Sequence, residues 1–112
     1  MKEEIVMGLY HPATEDLELP TVLHALSDPQ RLHIVRELAV AEEAQPCGRF
    51  TVNVSKSTCT HHFRVLREAG VIQQHHLGTA KMNTLRRADI DARFPGLLDA
   101  VLAAAPAEPA IA

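Results

Sequence analysis

The chain has 112 residues, a formal net charge of −3, seven histidines and two cysteines. That length allows one domain with a small core, marginal as a monomer. No apolar run is long enough to span a bilayer, and Met1-Lys2-Glu3-Glu4 opens no secretory pattern, so the expectation is a cytoplasmic protein with no membrane partner. Cys47 and Cys59, without secretory context, read as reduced thiols rather than a disulfide framework. No Ser-His-Asp set, Gly-rich phosphate loop or paired-carboxylate pattern is present, so an enzyme is not expected.

The charge is unevenly placed. Residues 1–54 hold four Lys/Arg against nine Asp/Glu, and residues 88–112 hold Arg93 against four acids. Between them, residues 55–87 hold Lys56, Arg64, Arg67, Lys81, Arg86 and Arg87 against Glu68 alone. A concentrated basic segment in an acidic chain is the electrostatic footprint of a nucleic-acid face, with a chance charge run as the plainer reading.

Residues 1–16 read as an N-terminal arm. Its apolar Ile5-Val6-Met7-Gly8-Leu9-Tyr10 is either a strand or an extended segment, and Pro12 breaks it. Leu19, Val22, Leu23 and Leu26 follow the i, i+3, i+4, i+7 spacing of a helix from about Leu19 to Leu26. Asp28 then caps and Pro29 starts a second helix, running to about Ala41 and carrying Leu32, Ile34, Val35 and Leu38. Residues 44–54 are a connector with room for one helical turn. The next helix runs from Ser55, its N-cap, to Ala69, and Gly70 supplies the left-handed stop. At ~100° per residue Cys59, Phe63 and Leu66 make an apolar stripe. The opposite side collects Ser57, Thr60, His61 and Arg64, with Lys56 and Thr58 in the first turn. A solvated face would mix Glu with Lys; this one carries donors and small side chains, which suit phosphate oxygens and the acceptor-rich edges of the major groove. Val71 to about His75 and Ala80 to Leu85 flank Leu77-Gly78-Thr79 and predict a β-hairpin. Asp89 to Phe94 is a helical turn, Pro95 starts a last helix with a wide apolar face at Leu97, Leu98, Val101 and Leu102, and residues 105–112 are a flexible tail.

This order predicts a mainly α fold with a small β-hairpin: a winged helix-turn-helix domain over residues 17–104, dimeric because one small core cannot cover the last helix. The chain here resembles the ArsR/SmtB family of bacterial winged-helix regulators. The likeness rests on Leu23-His24-Ala25-Leu26-Ser27-Asp28-Pro29-Gln30-Arg31-Leu32-His33-Ile34-Val35 and on the stretch from Ser55 to Ile72. It implies a homodimer paired through its first and last helices, with Leu19 and Leu23 joining Leu97, Leu98, Val101 and Leu102. It also implies an operator-binding transcriptional regulator, typically a repressor, with affinity often set by a metal or other inducer. Its DNA-contacting residues would be Lys56, Ser57, Thr58, Thr60, His61 and Arg64, plus Lys81 on the wing. Three departures stand out. Only Cys47 occupies the region where soft-metal sensors carry paired cysteines. The histidine and carboxylate pairs that hold zinc on the last helices are missing. Pro46-Cys47-Gly48-Arg49-Phe50 interrupts the first helix of the helix-turn-helix.

Several residues read two ways. Cys59 is a buried small hydrophobe and His62 a packed, hydrogen-bonded histidine rather than a ligand. Cys47 is either packed or a redox handle or metal ligand. With His11 and His33 it is a candidate for a nickel- or zinc-type site, although the histidines show no recognised ligand spacing. The second functional class is therefore a histidine-rich metal-binding or protein-interaction module on the same scaffold.

Overall fold

The spacing at Leu19, Val22, Leu23 and Leu26 does make a helix, α1 (Leu19–Leu26), in a computed structural model that describes residues 9–50 and 55–105. Ile5 to Gly8 of the proposed arm strand, residues 51–54 of the connector and residues 106–112 of the proposed tail lie outside the described residues. Only part of the α1 stripe is core: Val22 and Leu26 are buried with Ala25, whereas Leu19 and Leu23 remain 41% and 44% exposed. Helix α2 (Pro29–Val40) begins where expected, because the Asp28 carboxylate accepts from the amides of Gln30 and Arg31 at 2.8 and 3.2 Å. Those amides have no partner inside the helix, so the cap stabilises its first turn.

The connector holds the single helical turn it had room for, and a strand that was not expected. Gln45–Pro46 form a short strand, β1, followed by a 3-10 turn over Cys47–Phe50. This turn stands where the first helix of the helix-turn-helix is expected, so that helix is reduced to one turn. Pro46 is tolerated in β1 because the strand lies at a sheet edge, where a missing amide breaks no central ladder. Helix α3 (Lys56–Glu68) follows, capped by Ser55, whose hydroxyl accepts from the Thr58 amide at 3.1 Å. It ends in a Schellman arrangement: Gly70 N–H donates to Arg67 O at 3.0 Å and Val71 N–H to Leu66 O at 2.9 Å. Gly70 has φ +89°, and a Cβ there would collide with the Leu17 side chain, so the stop needs glycine twice over.

Strands β2 (Ile72–Leu77) and β3 (Ala80–Leu85) form the expected hairpin, with Leu77 opposite Ala80 and Gly78 in the two-residue loop. The sheet has the order β1-β3-β2, because β1 adds to the outer edge of β3 through Gln45 opposite Asn83 and Pro46 opposite Met82. Helix α4 (Arg87–Arg93) is longer than the turn expected from Asp89. Helix α5 (Leu97–Ala104) is not started by Pro95; its N-cap is Gly96 at φ +84°, and Pro95 sits in the bend before it. The left-handed Gly96 lets α5 fold back onto α4.

The core lies among α1, α2, α3, the root of the hairpin, Ile90 of α4 and Leu98 of α5. Leu98 is completely buried within the protomer, which corrects its grouping with the dimer-facing residues of the last helix. Leu97, Val101 and Leu102 are only half-buried against the same core. Cys59, Phe63 and Leu66 form the inward stripe of α3 as expected, and the Phe63 ring lies 5.5 Å from that of Phe50 at 60°. Phe63→Ala should therefore cost about 3–5 kcal/mol of folding stability. Urea unfolding checks this; a loss under about 1 kcal/mol would mean that Phe63 does not anchor the helix.

Candidate nucleic-acid interface

Helix α3 separates its residues cleanly. Cys59, His62, Phe63 and Leu66 point inward, while Lys56, Ser57, Thr58, Thr60, His61 and Arg64 are exposed. Ser57, Thr60, His61 and Arg64 stand at i, i+3, i+4 and i+7, one stripe down the helix. With Lys56 they border one shallow, open stretch of surface. Among the described residues the side chains of Lys56, Thr60 and Arg64 have no hydrogen-bond or ion-pair partner. Ser57 and Thr58 are partly engaged in the cap: Ser55 Oγ donates to Thr58 Oγ1 at 2.8 Å and lies 3.3 Å from Ser57 Oγ. Thr58 does not border this surface, and neither does Lys81, half-buried on β3 opposite His76.

Behind this face lies a buried polar junction. The Arg31 guanidinium donates from Nε to Ala25 O at 2.6 Å and from its second terminal nitrogen to His24 O at 3.2 Å, bonding two carbonyls at the end of α1. Its remaining nitrogen is 3.2 Å from His62 Nδ1. Arginine only donates, so Nδ1 accepts and the proton of neutral His62 sits on Nε2, which faces the Asp28 carboxylate at 3.8 Å. Burial pushes the His62 pKa below its ordinary value; Asp28 opposes this, and Arg31 and His61 add to it. The expectation of a packed, hydrogen-bonded His62 agrees with this geometry. Arg31 was missed, although an Arg at i, with Ile34, Val35 and Leu38 at i+3, i+4 and i+7, marks a charge on the inward face of α2.

A second junction joins α3 to the hairpin. Arg67 donates to Tyr10 O at 3.1 Å and to Gln74 Oε1 at 2.7 Å. Gln74 Nε2 donates to Asn83 Oδ1 at 2.7 Å, and Asn83 Nδ2 reaches Gln45 O at 2.9 Å and Cys47 Sγ at 3.2 Å. The Gln74 amide points away from β3 and donates to His11 Nε2 at 3.0 Å, while His11 Nδ1 donates to Leu9 O at 2.9 Å. The arm thereby covers the free edge of β2, which would otherwise present an unpaired amide. Gln74 and Asn83 are 3% and 0% exposed, inward polar positions in a strand pattern that drew no notice in the sequence.

These contacts correct two expectations. Both ring nitrogens of His11 are occupied, Cys47 Sγ accepts from Asn83 and from Gln74 at 3.5 Å, and His33 takes no part in either junction. His11, His33 and Cys47 are not assembled as a ligand set, and among the described residues no group of three or more His, Cys, Asp or Glu could hold a metal ion. The basic segment is also less available than its charge implies. Arg67 is held at the hairpin root, Arg86 binds Asp89 and Pro12 O, and Arg87 binds Asp91 and Asp99. Lys56, Arg64 and Lys81 remain.

Buried His62 and half-buried His11 have a consequence for acid stability. Burial, with the nearby Arg67 and Arg86, also holds the His11 pKa down against its backbone hydrogen bond. A histidine whose folded pKa is depressed binds fewer protons folded than unfolded, so its stabilisation is present above the unfolded value of about 6.5 and is lost as pH falls through the folded value. The melting temperature should decline as pH drops below about 6.5. His11→Gln with His62→Gln, each keeping an oxygen acceptor, should flatten that decline; an unchanged pH profile in the double variant would refute the assignment. Asp89, held down by hydrogen bonds from Arg86 and Thr14, acts below its ordinary 3.8 and outside this window.

Comparisons with known proteins agree with this architecture. No protein-family model matches the chain. It is 35% identical over 80 residues to YceK of Bacillus subtilis (strain 168), an uncharacterised HTH-type transcriptional regulator, covering 70% of this chain and 80% of that protein. Its structure resembles the crystal structure of an ArsR family transcriptional regulator with a TM-score of 0.58, at 18% identity, over 78% of this chain and 89% of the other. Among the described residues no helix is long and apolar enough to cross a membrane.

Proposed function

The chain belongs to the helix-turn-helix transcriptional regulators and has the ArsR-type winged-helix fold, and from that premise we propose that it is a cytoplasmic repressor that binds operator DNA as a homodimer through α3. The observation that carries this reading is the exposed stripe of Ser57, Thr60, His61 and Arg64 with Lys56 on the side of α3 opposite its buried stripe, where Lys56, Thr60 and Arg64 have no partner among the described residues. A helix of this width fits the major groove, and its donors match phosphate oxygens and base acceptors. In this reading the wing, with Lys81 opposite His76 on the hairpin, supplies contacts to the flanking backbone. A protein-interaction module would present large apolar groups on this face; the five residues lining it are cationic, hydroxylic or imidazole. Repression follows from occupancy, since a dimer seated across two half-sites covers promoter DNA.

A gel shift against the protein's own upstream region tests the reading, with arms containing EDTA, Ni²⁺ and Zn²⁺. Equal affinity in all arms is expected, because His11 and Cys47 are engaged internally. A metal-dependent shift would assign the control to nickel or zinc after all. Arg64→Ala should leave stability within about 0.5 kcal/mol of the parent and cost about 1–3 kcal/mol of operator binding per half-site. Parent-like operator binding by that variant would remove α3 from the interface.

Dimerisation rests on the exposed Leu19 and Leu23 of α1 and the half-buried Leu97, Val101 and Leu102 of α5. Sedimentation at micromolar concentration should give twice the chain mass. Leu23→Asp, on an exposed position, should give a folded monomer with weakened operator binding; a parent that sediments as a monomer would rule the pairing out.

A further inference from the structure

We propose that each operator half-site is read as a guanine and a thymine: Arg64 takes the two major-groove acceptors of a guanine, and the Thr60 methyl packs on the C5-methyl of a thymine about two base steps away. The inference deepens the DNA-binding reading above and rests on it.

The argument begins with the side chains that reach the groove. Lys56, Ser57, Thr60, His61 and Arg64 line the open surface on α3. None is Asn, Gln, Asp or Glu. The bidentate pairing that selects adenine needs a side-chain amide, and the pairing that selects cytosine needs a carboxylate to accept from its amino group. The face lacks both. Its hydrogen-bonding groups are the Arg64 fork, the His61 ring, the Lys56 ammonium and two hydroxyls.

Arg64 is the strongest discriminator among these. Its guanidinium presents parallel donors, and only guanine offers two adjacent acceptors, N7 and O6, in the major groove. The side chain is exposed and has no partner among the described residues, so nothing in the protomer competes for it. The other arginine of α3, Arg67, is fixed on Tyr10 O and Gln74 and is not a rival reader. One turn before Arg64, Thr60 is also exposed and unpartnered, whereas Thr58 holds a hydrogen bond with Ser55 and does not line that surface. Thr60 thus offers the one methyl among the five lining residues, and the thymine methyl is its apolar counterpart in the groove.

Spacing follows from helix geometry. Four residues at ~1.5 Å rise give about 6 Å, close to two base steps of ~3.4 Å for a helix lying along the groove. Lys56 and Ser57 stand at the N-terminal end of the stripe, where the amides and the ammonium meet phosphate and fix the register without selecting sequence.

In vitro selection from a randomised duplex pool, using the full chain, should return half-sites with one dominant guanine and a thymine about two positions from it. In the selected duplex, 7-deazaguanine at that position removes N7 and should weaken binding by about tenfold, whereas inosine keeps N7 and O6 and should bind like guanine. Uracil for the thymine should weaken the parent about fourfold, as expected for one buried methyl. Arg64→Ala should erase the guanine preference and leave the other columns. Thr60→Ser should bind thymine and uracil alike, and Thr60→Val should keep the discrimination; thermal melts of all three variants confirm that the fold is retained. A selected motif in which 7-deazaguanine binds as tightly as guanine, or in which Arg64→Ala keeps the guanine column, overturns this inference and leaves DNA binding standing. A pool that yields no motif and no salt-sensitive binding overturns the DNA-binding reading itself.

Discussion

The guanidinium of Arg31 ties three helices together. It is 6% exposed, and a buried cation is expensive unless its donors are satisfied. Here they meet the carbonyls of His24 and Ala25 and the ring of His62, so one side chain closes the end of α1, belongs to α2 and touches the inner face of α3. The carbonyl end of a helix carries partial negative charge, which suits a guanidinium. Asp28 completes the arrangement from the start of α2, capping its amides while facing His62. The position of α3 relative to α1 is therefore set by directional bonds as well as by apolar packing. If α1 pairs two protomers, the same bonds connect the pairing helix to the reading helix.

The far end of α3 is fixed with equal care. Arg67 bonds to the arm and to Gln74, and the buried Gln74–Asn83 amide pair joins β2 to β3 and β3 to the Cys47 turn. Such a network stabilises only when every member is satisfied, and this one recruits the arm to do so through His11. Glycine at position 70 allows the closeness: the chain reverses there against Leu17, so the arm, the helix end and the hairpin root occupy one small volume. Cys59, by contrast, lies in the core with its thiol pKa raised by burial and by the nearby Cys47, the condition of an unreactive packing residue.

The helices were legible because each carries a cap and an apolar period: Asp28 with Pro29, Ser55 with Gly70, and the Leu/Val/Ile spacing between them. The exposed polar face of α3 was legible for the same reason, since a helix with one fixed inner stripe leaves its other side determined. What the sequence hid falls into two kinds. Strand β1 is two residues long and made by pairing with β3, which no local period announces. The junctions at Arg31, Gln74 and Asn83 consist of polar residues in inward positions, and their partners lie up to 63 residues away along the chain. Leu98 misled in the opposite direction. An apolar residue on a wide face looks shared between two cores until the fold shows that α4 and α5 bury it in one.

Charge bookkeeping along the chain overstates the electrostatic face. Of the six cationic residues between 55 and 87, Arg67, Arg86 and Arg87 are bound to carbonyls, amides or carboxylates of the protomer. Asp89, Asp91 and Asp99 neutralise Arg86 and Arg87 in this way. Within that segment each chain then offers Lys56, Arg64 and Lys81 as free cationic side chains among the described residues. Counterion release scales with the number of phosphates neutralised, at a slope of about −0.9 per contact, so few contacts mean weak non-specific binding and a shallow salt dependence. A net charge of −3 adds no general attraction for DNA. If α3 reads DNA as proposed, the balance shifts toward the base edges, since a protein with little general attraction for the backbone gains affinity only where its side chains find specific partners. Low general attraction also limits how much of the protein is held on the rest of the genome, which is the competition an operator-binding protein has to overcome.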